Sequence, residues 1–172
     1  MGKIFAGLLF LFLHFKVNGF DLLPDFAGYL LIWWGMRSVP ESEILKNSQS
    51  PLAACIVAGA VLLLRLAGGG VPGIILSFGV MICQLTVTYT VVRGVEEVEK
   101  AANADLRAGE LRKSWYFTVI CSAAAYLCSL IESIAAVAPM VLAFMGVICY
   151  LVYVFKAWKA YEGWREEQTP AV

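Results

Sequence analysis

Charge is what this chain has least of. Asp, Glu, Lys and Arg make up 15% of its 172 residues while 60% are hydrophobic, whereas in a soluble domain about a quarter are charged. Histidine is nearly missing as well: His14 stands alone, so no histidine-rich metal site can be assembled. The H-E-x-x-H, G-x-S-x-G and Walker lysine patterns are absent too, and with them the commonest routes to metal, acyl-transfer and phosphate chemistry. Five cysteines, Cys55, Cys83, Cys121, Cys128 and Cys149, lie in apolar runs without C-x-x-C spacing. Their odd number and setting read as small packing residues, not as a disulfide framework or a metal centre. The 13 basic and 13 acidic residues cancel, so the basic excess that nucleic acid attracts is missing. The expectation is a protein without catalysis and without a cofactor.

What the chain has instead is a series of long apolar runs, the mark of an integral membrane protein. The only strongly polar break in its first third is N-G-F-D-L-L-P-D-F-A-G-Y at 18–29. Two carboxylates and a proline between greasy runs are tolerated at a membrane surface or around a cavity. Lys3 followed by Ile4–Leu13 has the look of a signal peptide, with 17–19 as a weak cleavage site, but His14 and Lys16 just upstream argue against cleavage.

Six helices are expected, at about 4–17, 23–38, 52–67, 74–107, 110–132 and 139–165, forming one transmembrane domain over 1–172. The fold class is an all-α integral membrane protein, a six-helix bundle of three hairpins. The first run, 4–17, would be roughly 21 Å of helix at ~1.5 Å per residue, short for a hydrocarbon core of about 30 Å. The first hairpin is therefore either a thin transmembrane pair or a re-entrant one. Asn18-Gly19 reads as its helix stop, Asp21 and Pro24 as the next start. A polar connector over 39–50 closes on Ser50-Pro51 in the N-cap and N1 roles. The run Gly68-Gly69-Gly70 lacks the lysine and hydroxyl of a phosphate loop and reads as a tight turn. Beyond the fourth span, Val95, Val98, Ala102 and Leu106 recur at helical steps between acids and bases. This amphipathic extension either covers the protein's own inner surface or offers a docking stripe to a cytoplasmic partner.

Orientation follows from the basic residues. With six alternating helices and a cytoplasmic amino terminus, Lys3, Arg37, Lys46, Arg93, Lys100, Arg107, Arg112, Lys113, Lys156, Lys159 and Arg165 lie inside, leaving Lys16 and Arg65 outside. That asymmetry puts both termini in the cytoplasm, and an aromatic belt of Trp33, Trp34, Trp115, Tyr116, Trp158, Tyr161 and Trp164 falls near the inner boundary.

K-I-F-A-G-L-L-F-L-F-L at 3–13, the L-P-D-x-x-G-Y core within 19–32, and Y-T-V-V-R-G-V-E-E-V-E with N-A-D-L and K-S-W at 89–115 resemble an uncharacterised family of small multi-pass membrane proteins of Gram-positive bacteria. The likeness covers about two thirds of the chain and implies location and fold, not a reaction. His14 stands where the family would carry an acid. Two sets of side chains remain as candidate sites. His14, Lys16, Asp21, Asp25, Arg65 and Glu132 fall near the outer face, either as caps and snorkelling groups or as a polar pocket for a small ligand or ion. Gln84, Thr86, Thr88 and Thr90, with the small-residue line Cys121, Ala125, Ser129 and Ser133, read as helix packing before they read as a permeation path. The expected role is an assembly or regulatory component of a bacterial cytoplasmic membrane, with lipid as its surroundings and a protein partner possible at the cytoplasmic helix. A small transporter or ion-coupled carrier is the alternative.

Overall fold

The structure is a computed structural model that describes residues 1–12, 16–17, 20–21, 25–66, 73–129 and 137–168, with backbone alone at 16–17, 20–21, 25–26, 62–66, 73–77, 129 and 137–140. In order these form α1 (Gly2–Phe12), β1 (Lys16–Val17), β2 (Phe20–Asp21), α2 (Asp25–Arg37), α3 (Glu43–Asn47), α4 (Ser50–Leu66), α5 (Gly73–Ala102), α6 (Ala108–Ser129) and α7 (Val137–Gln168). Apart from the single turn α3 and the two-residue strands β1 and β2, the elements of the described residues are six helices, as the apolar runs predict. It divides into two compact units, Met1–Gly94 and Val95–Val172.

In the first unit glycines decide the packing. A Cβ on Gly7 would stand 2.8 Å from the Gly28 carbonyl, and one on Gly35 would stand 2.6 Å from the Ile4 nitrogen. Early residues of α1 thus meet late residues of α2, so the two helices are antiparallel and touch backbone to backbone, which only glycine permits. Around that seam Leu8, Leu11, Tyr29, Ile32 and Met36 are buried. α4 packs against α2, with Ala54 buried.

Two local expectations are corrected here. The first helix does not run to 17: its described part is Gly2–Phe12, and residues 16–17 pair as a strand with 20–21, in a register that sets Lys16 opposite Asp21 and Val17 opposite Phe20. Asn18-Gly19, read from the sequence as the helix stop, lies outside the described residues. The connector over 39–50 is also more than a polar link. Ser42 caps α3, its hydroxyl accepting from the Leu45 amide at 3.1 Å, and Val39 and Leu45 are fully buried.

In the second unit α5 ends at Ala102, short of the 107 expected from the sequence. Asn103 takes a left-handed φ of 49°, a conformation asparagine accepts and a helix does not continue through. The Glu99 carboxylate then accepts the amides of Leu106 and Ala108, both at 2.9 Å, tying the corner to the start of α6. α6 and α7 pack along each other. The residues joining them, 130–136, reach at most about 25 Å, short of the ~33 Å that a parallel return along α6 needs; the pair is antiparallel. At their crossing Thr118 donates to the Gly146 carbonyl at 2.9 Å, and a Cβ on Gly146 would lie 3.2 Å from the Thr118 Cα.

Candidate functional site

Two helical stretches are long and apolar enough to cross a membrane by length and composition, Phe78–Ala102 and Val141–Gln168. Only 33% and 22% of their apolar windows are buried, so neither is the covered central helix of a soluble core. On α6, Ile120 is 67% and Leu127 61% exposed. On α7, Leu142, Phe144, Met145, Ile148 and Val152 also face outward. No Asp, Glu, Lys or Arg occurs in 114–129 or 137–155, so this exposed apolar surface is uninterrupted by charge. A monomeric soluble protein rarely exposes a contiguous patch larger than a few hundred Å².

Charge begins where the apolar surface ends. With α6 and α7 antiparallel, the start of α6 and the end of α7 share one end of the unit, and there Lys156 lies over the Tyr153 ring and Lys159 over the Trp158 ring, each at 5.0 Å. Arg112 pairs with Glu96 at 3.4 Å, and Lys159 with Glu162 at 3.2 Å. The hydrogen bond from Lys159 holds the Glu162 carboxyl below its ordinary value. The first unit has its own basic and aromatic end, where Lys3 lies 3.8 Å from the centre of the Trp34 ring and the Arg37 guanidinium 4.3 Å from that of Trp33.

Of the predicted aromatic belt, Trp34 and Tyr116 are exposed and Trp33, Trp115, Trp158 and Trp164 half-buried. Tyr161 departs from it: the side chain is buried, on a stripe with Tyr150, Val154 and Ala157 at helical spacing. Val95, Val98 and Leu106 are buried as well, and Ala102 is half-buried. The amphipathic stripe is therefore covered within the chain, and Leu106 reaches that cover from beyond the helix end.

The threonines of α5 spend their hydroxyls largely on their own helix. Thr86 donates to the Ile82 carbonyl at 2.8 Å, Thr88 to that of Gln84 at 2.9 Å and Thr90 to that of Thr86 at 2.9 Å. Thr90 also meets the Ser50 hydroxyl at 3.1 Å. On α6, Cys121 of the small-residue line is buried at the crossing, its Cβ 3.6 Å from where a Cβ on Gly146 would stand, with Thr118 one turn earlier, while Ala125 is half-buried. In the outer polar cluster, His14 and Glu132 lie outside the described residues, and Lys16, Asp21, Asp25 and Arg65 have backbone positions alone. The register of β1 and β2 brings two of these together, Lys16 opposite Asp21.

Sequence reasoning gave no packing role to Gly7, Gly35, Gly94 or Gly146, nor to Gly28, which it met only as the glycine of the L-P-D-x-x-G-Y core. A signal existed for Gly28 and Gly35, seven residues apart and so on one helix face; the others stand alone. Among the described residues no group of three or more His, Cys, Asp or Glu is placed to hold a metal ion. No protein-family model, curated protein or solved structure matches the chain.

Proposed function

We propose that this chain is a multi-pass protein of a bacterial cytoplasmic membrane, a bundle of three helical hairpins with both termini inside, acting without catalysis as an assembly or regulatory component. The observation that carries the reading is the exposed, uncharged apolar surface of α6 and α7, ending in cations set on aromatic rings. Lipid is the solvent that such a surface requires, and aromatic rings with basic side chains are what its boundary selects. At ~1.5 Å per residue α5 and α7 are about 45 and 48 Å long, against a hydrocarbon core of about 30 Å. Both overshoot the bilayer at the end where Glu96, Glu97, Lys100, Lys159 and Arg165 stand, and positive residues keep that end in the cytoplasm. The likeness to small multi-pass proteins of Gram-positive bacteria agrees with this location.

Cysteine labelling of intact cells tests it. In a chain freed of native cysteines, Gly109→Cys reacts only after the membrane is made permeable and Gly70→Cys reacts from outside. An added Cβ at Gly109 meets nothing within 4 Å, so this reporter leaves the fold unchanged. Labelling of Gly109→Cys from outside would overturn the topology. Carriage of a small ligand or ion is the second reading, favoured by the register that sets Lys16 opposite Asp21; it requires uptake into proteoliposomes that Asp21→Asn abolishes.

A further inference from the structure

Lys3 is an awkward residue for helix α1. It stands in the first turn of Gly2–Phe12, where no acid accompanies it, and a cation at a helix amino terminus opposes the helix dipole. Neither helix stability nor an ion pair accounts for it, since among the described residues no carboxylate pairs with Lys3 or with Arg37. Their N–H donors find no protein acceptor there either. Both cations rest instead on indole faces, Lys3 at 3.8 Å over Trp34 and Arg37 at 4.3 Å over Trp33. The backbone fixes this juxtaposition. An added Cβ at Gly35 would lie 2.6 Å from the Ile4 nitrogen and 3.0 Å from the Lys3 carbonyl carbon, so the start of α1 is pressed against the end of α2. Trp34 is 58% exposed. The result is two uncompensated cations with unspent donors, the positive end of a helix, and an exposed indole, all at one end of one helix pair.

We propose that Lys3–Trp34 and Arg37–Trp33 together bind the headgroup of an anionic glycerophospholipid. The phosphodiester accepts from the ammonium and the guanidinium, while the indoles lie at the ester level against the upper acyl chain. Charge complementarity selects an anionic lipid over a zwitterionic one, because a choline beside the same cations is repelled. This site rests on the membrane reading above.

The test reconstitutes the full chain, with Trp115, Trp158 and Trp164 replaced by phenylalanine so that only Trp33 and Trp34 report, in nanodiscs of equal phosphatidylcholine and phosphatidylglycerol, with bromine on the acyl chains of one lipid or the other, and reads tryptophan quenching; this chain is the wild type of the comparison. In the wild type phosphatidylglycerol quenches with an apparent affinity about fivefold above phosphatidylcholine, the size expected of a cation near an anionic surface. Lys3→Gln with Arg37→Gln brings the ratio close to one, whereas Lys46→Gln, on the neighbouring connector, leaves it unchanged; circular dichroism confirms that each variant folds. Glycerol 3-phosphate at millimolar concentration does not erase the preference. Equal quenching by the two lipids in the wild type, or a preference that survives the double substitution, overturns this site and leaves the membrane reading standing. Erasure by glycerol 3-phosphate overturns the assignment to a lipid. Absence of quenching by either lipid overturns the membrane reading and the site with it.

Discussion

Gly94 shows how much one missing side chain can decide. A Cβ there would collide with the side chain of Leu45, which is fully buried and has nowhere to retreat. Gly94→Ala is expected to lose about 1–3 kcal/mol through overpacking, although alanine is the better helix former by roughly 0.5–1 kcal/mol. Gly109→Ala, with open space around its Cβ, should melt at or slightly above the wild type in detergent. Equal melting of the two variants would remove Leu45 as the cause. Glu99 is the second such residue. Its carboxylate serves two amides at the α5–α6 corner, so Glu99→Ala leaves both without that acceptor and is expected to cost about 1–3 kcal/mol. Glu99→Gln should recover part of the loss, since an amide oxygen still accepts. A glutamine variant no better than alanine would show that the charge, and not the acceptor, holds the corner.

Among elements, the crossing of α6 and α7 sets Gly146 against Thr118 and against Cys121, the first member of the small-residue line. Thr118 reaches the Gly146 carbonyl only because no side chain intervenes, and a leucine there would push the helices apart and break that bond. Gly146→Leu is expected to lower the melting temperature in detergent markedly, while Ala124→Leu, at an exposed position, is tolerated. The reverse order would move the interface to the face of α6 that carries Ala124. The small-residue line was legible in the sequence because four-residue spacing is visible in a string of letters. Which glycine of a partner helix it meets was not legible, since the match depends on where α7 begins and how far it slides. The same limit explains Leu106: helical spacing put it on the stripe, but the left-handed turn at Asn103 carries it there by another path.

For the whole molecule, the membrane reading expects a division in solvent access along α7. Hydrogen exchange in nanodiscs should leave the amides of 141–155 protected for hours, while that of Asp105, exposed at the non-helical corner, exchanges within seconds to minutes. The segment 156–168 should fall between, being helical but water-exposed, with Ala157 and Tyr161 buried to slow it. Exchange of 141–155 as fast as that of the corner would contradict burial in lipid. The outer polar cluster was legible only as a set of costly charges at similar depth, because depth can be counted along a helix and lateral neighbourhood cannot.

What the sequence by itself determined is whatever depends on composition and on intervals along the chain. Six apolar runs require helices, since backbone amides in an apolar setting must be satisfied within the segment. The lopsided basic residues make one side the expected cytoplasmic face, and the polar interruption at 18–29 forbids one continuous helix. Tertiary structure alone decided which surfaces meet: α1 against α2 along Gly7, Gly28 and Gly35, Leu45 against Gly94, Thr118 against Gly146, and Lys3 over Trp34. Each of these contacts joins residues from separate elements at a distance set by the absence of a Cβ or by one rotamer, and neither property has a period that can be read along the chain.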